Sequence, residues 1–169
     1  MSRRRKPLPP DPVPARVESL EHDGRGVARV EGKVVFIDGA LPGEEVTFRY
    51  LRRRGRFDEG RVEEVLTPAP ERVPARCPHF HLCGGCSLQH LEPGRQVAVK
   101  EARLLEALEH AGAGRPGRVL PPLAGPLWGY RHKARLGARY VRNKGRLLVG
   151  FREKRSNRVA DLTRCEVLH

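Results

Sequence analysis

Cys77-Pro-His-Phe-His-Leu-Cys83-Gly-Gly-Cys86 places three of the chain's four cysteines within ten residues, and the fourth, Cys165, stands almost at the C-terminus. Any fold in which these four sulfurs act together must bring residue 165 back to the knuckle across nearly eighty residues. Four thiolates suit an iron–sulfur cubane, in which each iron takes one soft sulfur ligand from the protein. Structural zinc is the competing reading, with four thiolates or with three and an imidazole, and His79 and His81 lie inside the first loop. Zinc ligands usually come as two pairs. Here the grouping is three plus one with five residues between the first two cysteines, which favours the cluster. His79, His81 and His90 read as packing or hydrogen-bonding residues.

Composition narrows the setting. The chain has 169 residues, 38% hydrophobic, with 15 prolines and 5% aromatics, enough for two small modules with stiff connections. Four cysteines are too few for a secreted disulfide scaffold of this length. The basic start, Met1-Ser-Arg-Arg-Arg-Lys6, leads into prolines, so no export signal is expected. Nor is a membrane span, and a monomer in the reducing cytoplasm is the expectation. Net charge is +13, and residues 111–169 hold fourteen bases against three acids. Such a concentrated, arginine-rich excess is the electrostatic footprint of a polyanion partner.

Residues 1–12 read as a disordered basic arm. From Val13, short apolar runs broken at Asp23-Gly24, Gly26, Glu31-Gly32 and Leu41-Pro-Gly43 predict about five strands up to residue 67, which fit a small OB-like barrel. Glu31-Gly32 predicts a tight hairpin, and Arg52-Arg53-Arg54-Gly55-Arg56 the tip of another. A proline-punctuated linker then leads to the knuckle, where Gly84-Gly85 lets the backbone bend closely. Pro93-Gly94 opens a helix to about His110, with Val97, Leu104, Leu105 and Leu108 at helical spacing and Gly112 as its cap. In Arg131–Arg142 the odd positions hold Arg131, Lys133, Arg135 and Arg139, and the even ones Ala134, Leu136, Ala138 and Tyr140. That alternation predicts a strand with one cationic and one apolar face. A return strand over 146–152 would place Leu147, Val149 and Phe151 on the apolar side, and Val159–Leu162 a third strand.

On these residues the sequence resembles the S-adenosylmethionine-dependent RNA uracil-C5 methyltransferases, which act on ribosomal or transfer RNA. Asp23-Gly-Arg-Gly-Val-Ala28 and Leu41-Pro-Gly-Glu-Glu-Val46 resemble a TRAM domain, the OB-like RNA-binding module of that family. Cys77-x5-Cys83-Gly-Gly-Cys86-x-Leu-Gln89-His90 is similar to its cluster segment, and Tyr130-Arg-His-Lys-Ala-Arg135 with Val149-Gly-Phe-Arg152 to its central domain. The resemblance covers about residues 13–169. It implies a [4Fe–4S] cluster on Cys77, Cys83, Cys86 and Cys165. The implied architecture is β followed by α/β. An arm (1–12) precedes a TRAM barrel (13–67) and an incomplete iron–sulfur domain (75–169), a cluster-stapled antiparallel sheet with one main helix.

One departure is large. The family continues into a Rossmann-like domain that binds the methyl donor and supplies a cysteine nucleophile and a general base. No Gly-rich strand-to-helix loop of that kind occurs in these 169 residues, and all four cysteines are committed to the cluster. The chain is therefore expected to recognise substrate RNA without methylating it alone. Arg52, Arg53, Arg54 and Arg56 on the barrel and Arg131, Lys133, Arg135 and Arg139 on the later sheet are the expected RNA contacts. The alternative is a stand-alone, non-enzymatic RNA- or ribosome-binding iron–sulfur module. A radical-type tRNA methylthiotransferase also joins TRAM to a cluster, but its C-x3-C-x2-C spacing and opposite domain order disagree with this chain.

Overall fold

The computed structural model describes residues 7–169, so the first six residues of the expected arm lie outside the described residues. Two compact units divide at Arg72/Val73.

In the first unit, strands β1 (Val13–Leu20), β2 (Gly26–Val30), β3 (Lys33–Asp38), β4 (Glu45–Arg53) and β5 (Phe57–Thr67) close a barrel in the order β1-β2-β3-β5-β4. Closure comes from β1 pairing antiparallel with β4 and β3 pairing parallel with β5. No strand of the barrel is left with an open edge. Alternate residues point inward, so Val17, Ala28, Val35, Ile37, Val46, Phe48 and Tyr50 make the core. The Glu31-Gly32 hairpin has both central residues at positive φ (50° and 77°), the geometry whose twist matches the flanking strands. Register shifts along β4–β5 bend the sheet round. At Gly60 an added Cβ would lie 2.4 Å from the Phe48 ring, so the largest fully buried side chain of the barrel occupies space that only glycine leaves.

Two buried carboxylates organise the barrel's loops. Glu44 accepts from the N–H groups of Leu41 (2.8 Å) and Ala69 (3.2 Å) and from the Arg72 guanidinium, whose Nη2 also donates to the Gly39 carbonyl (2.7 Å). The exit segment is thereby tied to the β3–β4 connection. Asp58 accepts from Lys33 Nζ (2.6 Å), the Arg54 N–H (2.9 Å) and Arg53 Nε (3.4 Å), which fixes the arginine-rich turn. Before β1 the described residues lack regular structure, and the Pro10 carbonyl accepts from Arg49 (2.6 Å).

The second unit contains helix α1 (Pro93–His110), a hairpin of β6 (Gly137–Val141) and β7 (Arg146–Gly150), and long irregular segments. Glu92 caps α1 by accepting from the Gly94 and Arg95 N–H groups, and Gly112 follows the helix at φ 76°. The hairpin departs from the alternation in three respects. Its first strand begins at Gly137, because residues 132–136 find no strand to pair with. Residues 159–162 form a single bridge, Arg152 to Val159, rather than a third strand. They cross the Gly137, Leu148 and Gly150 side of the hairpin: a Cβ on Gly150 would meet the Ala160 carbonyl at 2.8 Å, and one on Gly137 would meet Val159 at 3.1 Å. The side expected to be core, Tyr140, Leu147 and Val149, is exposed, while Leu148 is buried.

Two outcomes are expected from the barrel. Gly60→Ala should destabilise it by about 1–3 kcal/mol in chemical denaturation, because overpacking displaces Phe48. Burial pushes the Glu44 and Asp58 carboxyls up, but hydrogen bonds from Arg72 and from Lys33 outweigh it, so both sit below their ordinary values of 4.5 and 3.8. Their stabilisation is present above those values and lost as pH falls through the lower folded ones. Barrel stability should therefore fall steadily below about pH 4, and Glu44→Gln should flatten part of that acid limb.

Candidate functional site: a four-cysteine cavity and the cationic surfaces

The knuckle is built from turns rather than regular structure. The Phe80 N–H donates to the Cys77 carbonyl (3.1 Å), and the Leu82 and Cys83 N–H groups donate to that of His79 (3.0 and 2.7 Å). Backbone bridges then hold it to distant chain. The Gly84 N–H donates to the Arg152 carbonyl (2.9 Å), the Lys154 N–H to that of Leu82 (2.8 Å), and Cys83 faces Glu153. His79 reaches 84 residues along the chain, its Nε2 accepting from the Thr163 N–H at 3.1 Å and lying 2.9 Å from Oγ1. Beyond Cys165, the Gly129 and Arg131 N–H groups donate to the carbonyls of Glu166 and Val167 (3.0 and 2.9 Å).

These ties bring all four cysteines to one cavity, which Phe80, Phe151, Leu162 and Gln89 also line. Gly85 forms part of its wall: a Cβ there would press on Phe151 at 3.2 Å and on the Cys83 sulfur at 3.4 Å. Gln89 orients the knuckle by accepting the Cys77 N–H (3.1 Å). Burial pushes the Cys83 thiol up, and the neighbouring sulfurs of Cys86, Cys77 and Cys165 add to this against the Gly85 N–H. Burial likewise raises the Cys86 thiol, aided by Cys165 and Cys77 and opposed by the Gln89 side chain and Arg131. Four soft sulfurs around one apolar cavity are a donor set that a cationic iron–sulfur core would convert to thiolates. Among the described residues no group of three or more His, Cys, Asp or Glu side chains is arranged to hold a metal ion. His90 is buried against Phe80 at 5.1 Å between ring centroids, as a packing residue would be.

The barrel-tip arginines divide into two kinds. Arg53 is committed to Asp58 and lies over the Tyr50 ring, and Arg54 pairs with Glu59 (3.5 Å) over Phe57. Arg52 and Arg56 are exposed, and among the described residues neither makes an ion pair. In the second unit Lys133, Arg135 and Arg139 are exposed, whereas Arg131 is half-buried over the Phe151 ring at 5.4 Å beside the cysteine cavity. Only Arg139 lies on a strand, so the four do not form one ruled cationic face. Lys144 and Arg146 are drawn to Asp161 (both 2.6 Å).

Sequence reasoning missed the positioning residues: Lys33 and Asp58 for the basic turn, Thr163 for His79, and Gln89 for the knuckle backbone. Asp58 carried a faint signal as an acid two residues beyond the arginine-rich run 52–56. The Thr163 tie carried none, since it depends on a pairing across the whole unit.

Residues 12–49 match the TRAM domain family. The chain is 57% identical over 166 residues to the 23S rRNA (uracil(1939)-C(5))-methyltransferase RlmD of Methylococcus capsulatus, covering 98% of this chain and 38% of that relative. It is 59% identical over 167 residues to the RlmD of Nitrosococcus oceani, covering 98% and 37%, and 56% identical over 168 residues to that of Alcanivorax borkumensis, covering 99% and 38%. The resemblance to uracil-C5 methyltransferases read from the motifs is thus shown along nearly the whole chain. The chain spans under two-fifths of the length of these curated relatives, at their N-terminal part.

His79→Ala should loosen the 77–86 loop without unfolding the barrel. Faster amide exchange confined to the knuckle and residues 160–165 would register this.

Proposed function

We propose that this chain, which carries a TRAM domain and matches the N-terminal part of uracil-C5 methyltransferases, is the RNA-gripping portion of a cytoplasmic, S-adenosylmethionine-dependent 23S rRNA (uracil-5-)-methyltransferase. The observation that carries the reading is identity of 56–59% to RlmD proteins sustained over 98–99% of the chain. Methyl-donor binding and the nucleophile belong to the remainder of the longer protein, so the 169 residues alone recognise RNA and do not methylate it.

The division of cations supports a gripping role. Arg52 and Arg56, which make no ion pair among the described residues, offer guanidiniums for backbone phosphates, while Asp58 and Glu59 immobilise Arg53 and Arg54 so that the turn presents its charges in one conformation. Lys133, Arg135 and Arg139 would add phosphate contacts from the second unit, and Arg131 would act from its place beside the cavity. Phosphate contact of this kind sets affinity and orientation, and base identity must be read elsewhere.

Cys77, Cys83, Cys86 and Cys165 are the residues that would hold a [4Fe–4S] cluster. When bound, the cluster supplies four iron–thiolate bonds joining the knuckle to the end of the unit. Its role here is structural, because it would join the turn-built knuckle to residues at the far end of the unit. The chain's own contribution is to orient the sulfurs through His79–Thr163 and Gln89, and to screen the cavity from water with Phe80, Phe151 and Leu162.

Three measurements test this reading. Anaerobic visible absorption with iron and sulfide analysis should find about four of each per chain; a colourless protein with one zinc would replace the cluster. Cys165→Ser should lower the unfolding temperature of the second unit and weaken RNA binding together, and unchanged stability in a cluster-free variant would refute the staple. Affinity for an rRNA stem-loop should fall with salt at a log–log slope of ~0.7 per contacted phosphate. Arg52→Ala with Arg56→Ala should lower that slope by about 1–1.5, and a flat salt response would overturn the RNA reading.

A further inference from the structure

The two units use their apolar residues very differently. Among the described residues the barrel unit buries eleven hydrophobic residues, whereas the 97 residues of the second bury six: Phe80, Cys83, Leu91, Leu148, Ala160 and Val167. Of fourteen exposed large hydrophobic side chains among the described residues, eleven belong to the second unit. They concentrate in two places: the Tyr140, Leu147 and Val149 side of the hairpin, and an excursion of the chain between residues 93 and 127.

That excursion leaves after the buried Leu91 and returns at Gly129, whose N–H is bonded to the Glu166 carbonyl. Helix α1 occupies its first half, and none of its 18 residues is buried, although Val97, Leu104, Leu105 and Leu108 form an apolar stripe. Residues 111–127 are exposed throughout, with Leu123 as open as in an extended chain and Leu104, Leu120 and Leu127 more than half exposed. A lone helix of this length is marginal in water, and most helical stability in proteins comes from packing such a stripe. On the stripe Leu104 is exposed and Val97, Leu105 and Leu108 are half-buried, and exposed apolar side chains clustered from there to Leu127 mark an interface.

Chain direction and length point to one occupant. The His169 N–H donates to the Arg131 carbonyl (3.2 Å), so polypeptide continuing past residue 169 emerges beside the point where the excursion rejoins the unit, four residues from Leu127. The relatives extend for more than half their length beyond the part this chain matches. We propose that α1 and the segment to Leu127 are a docking arm for the polypeptide that follows His169 in the longer protein. The apolar stripe becomes core only when that following portion folds against it. The N-terminal portion would then contribute a helix to the packing of the part that performs the chemistry, so the two could not act as independent beads. The inference rests on the reading above that the protein continues as its relatives do.

Amide hydrogen exchange, compared between the 169-residue chain and the protein expressed from the complete gene, tests it. Amides of residues 97–108 should exchange nearly unprotected in the short chain and roughly 100-fold or more slowly in the long one. Leu104→Glu with Leu108→Glu should abolish that protection in the long protein and leave RNA affinity of the short chain unchanged. Equal exchange in both proteins overturns the docking. So does protection in the short chain that grows with its concentration, which would make a second copy the occupant. Methylation of 23S rRNA is scored separately. A long protein that methylates while α1 stays unprotected refutes only the docking, one that protects α1 without methylating refutes only the function, and a reading frame that stops at His169 refutes both.

Discussion

The second unit depends on a long return. Cys165 reaches the cavity of Cys77, Cys83 and Cys86 only because the chain between them folds back on itself, and closing a flexible loop of nearly eighty residues costs roughly 4 kcal/mol in chain entropy. Little regular structure is available to offset that cost, since the unit has one two-stranded hairpin and a helix with no buried residue. Several of its ties, the Cys83–Glu153 bridge, the His79–Thr163 contact and the 129–131 ladder with 166–169, involve residues beside the cysteine cavity. Burial raises the Cys83 and Cys86 thiols, and their neighbouring sulfurs push them in the same direction.

The barrel rests on different physics. It closes on itself, fills its interior with alternate strand residues, and satisfies its buried acids internally. Glu44 and Asp58 each sit at a place where backbone N–H groups and a guanidinium or ammonium meet, so their charges organise loops instead of opposing burial. Asp58 links fold to surface chemistry. By holding Lys33, Arg53 and the Arg54 N–H it stiffens the turn from which Arg52 and Arg56 project. Preorganising a cationic turn reduces what must be ordered when a polyanion binds.

Much of this was legible in the amino-acid order, and the reasons are local. Turn residues at Glu31-Gly32 and apolar residues at every second position specify hairpins whose register has one solution once a face is buried. Pro93-Gly94 and Gly112 bracket α1 because proline suits a helix start and glycine a left-handed cap. The three-plus-one cysteine spacing led to the expectation of convergence; the four cysteines line one cavity, while no group of three or more His, Cys, Asp or Glu among the described residues is arranged to hold a metal ion. The later hairpin misled for a physical reason. Alternation states which side chains share a face, but not whether that face meets core, and at Tyr140, Leu147 and Val149 it does not. The Gly137 and Gly150 side was taken instead by residues 159–162, which approach closely where side chains are missing.

Periodicity and turn chemistry, encoded within a few residues of one another, were enough to specify a small β-barrel and a capped helix. Only the folded chain decided which arginines are spent on internal acids and which stay open, because ion pairing depends on residues that meet through strand register, as Lys33 and Asp58 do across the barrel. Tertiary structure also decided that the helix stripe and one hairpin face remain uncovered within these residues. Burial is a property of what lies opposite a surface, and no local pattern contains that information.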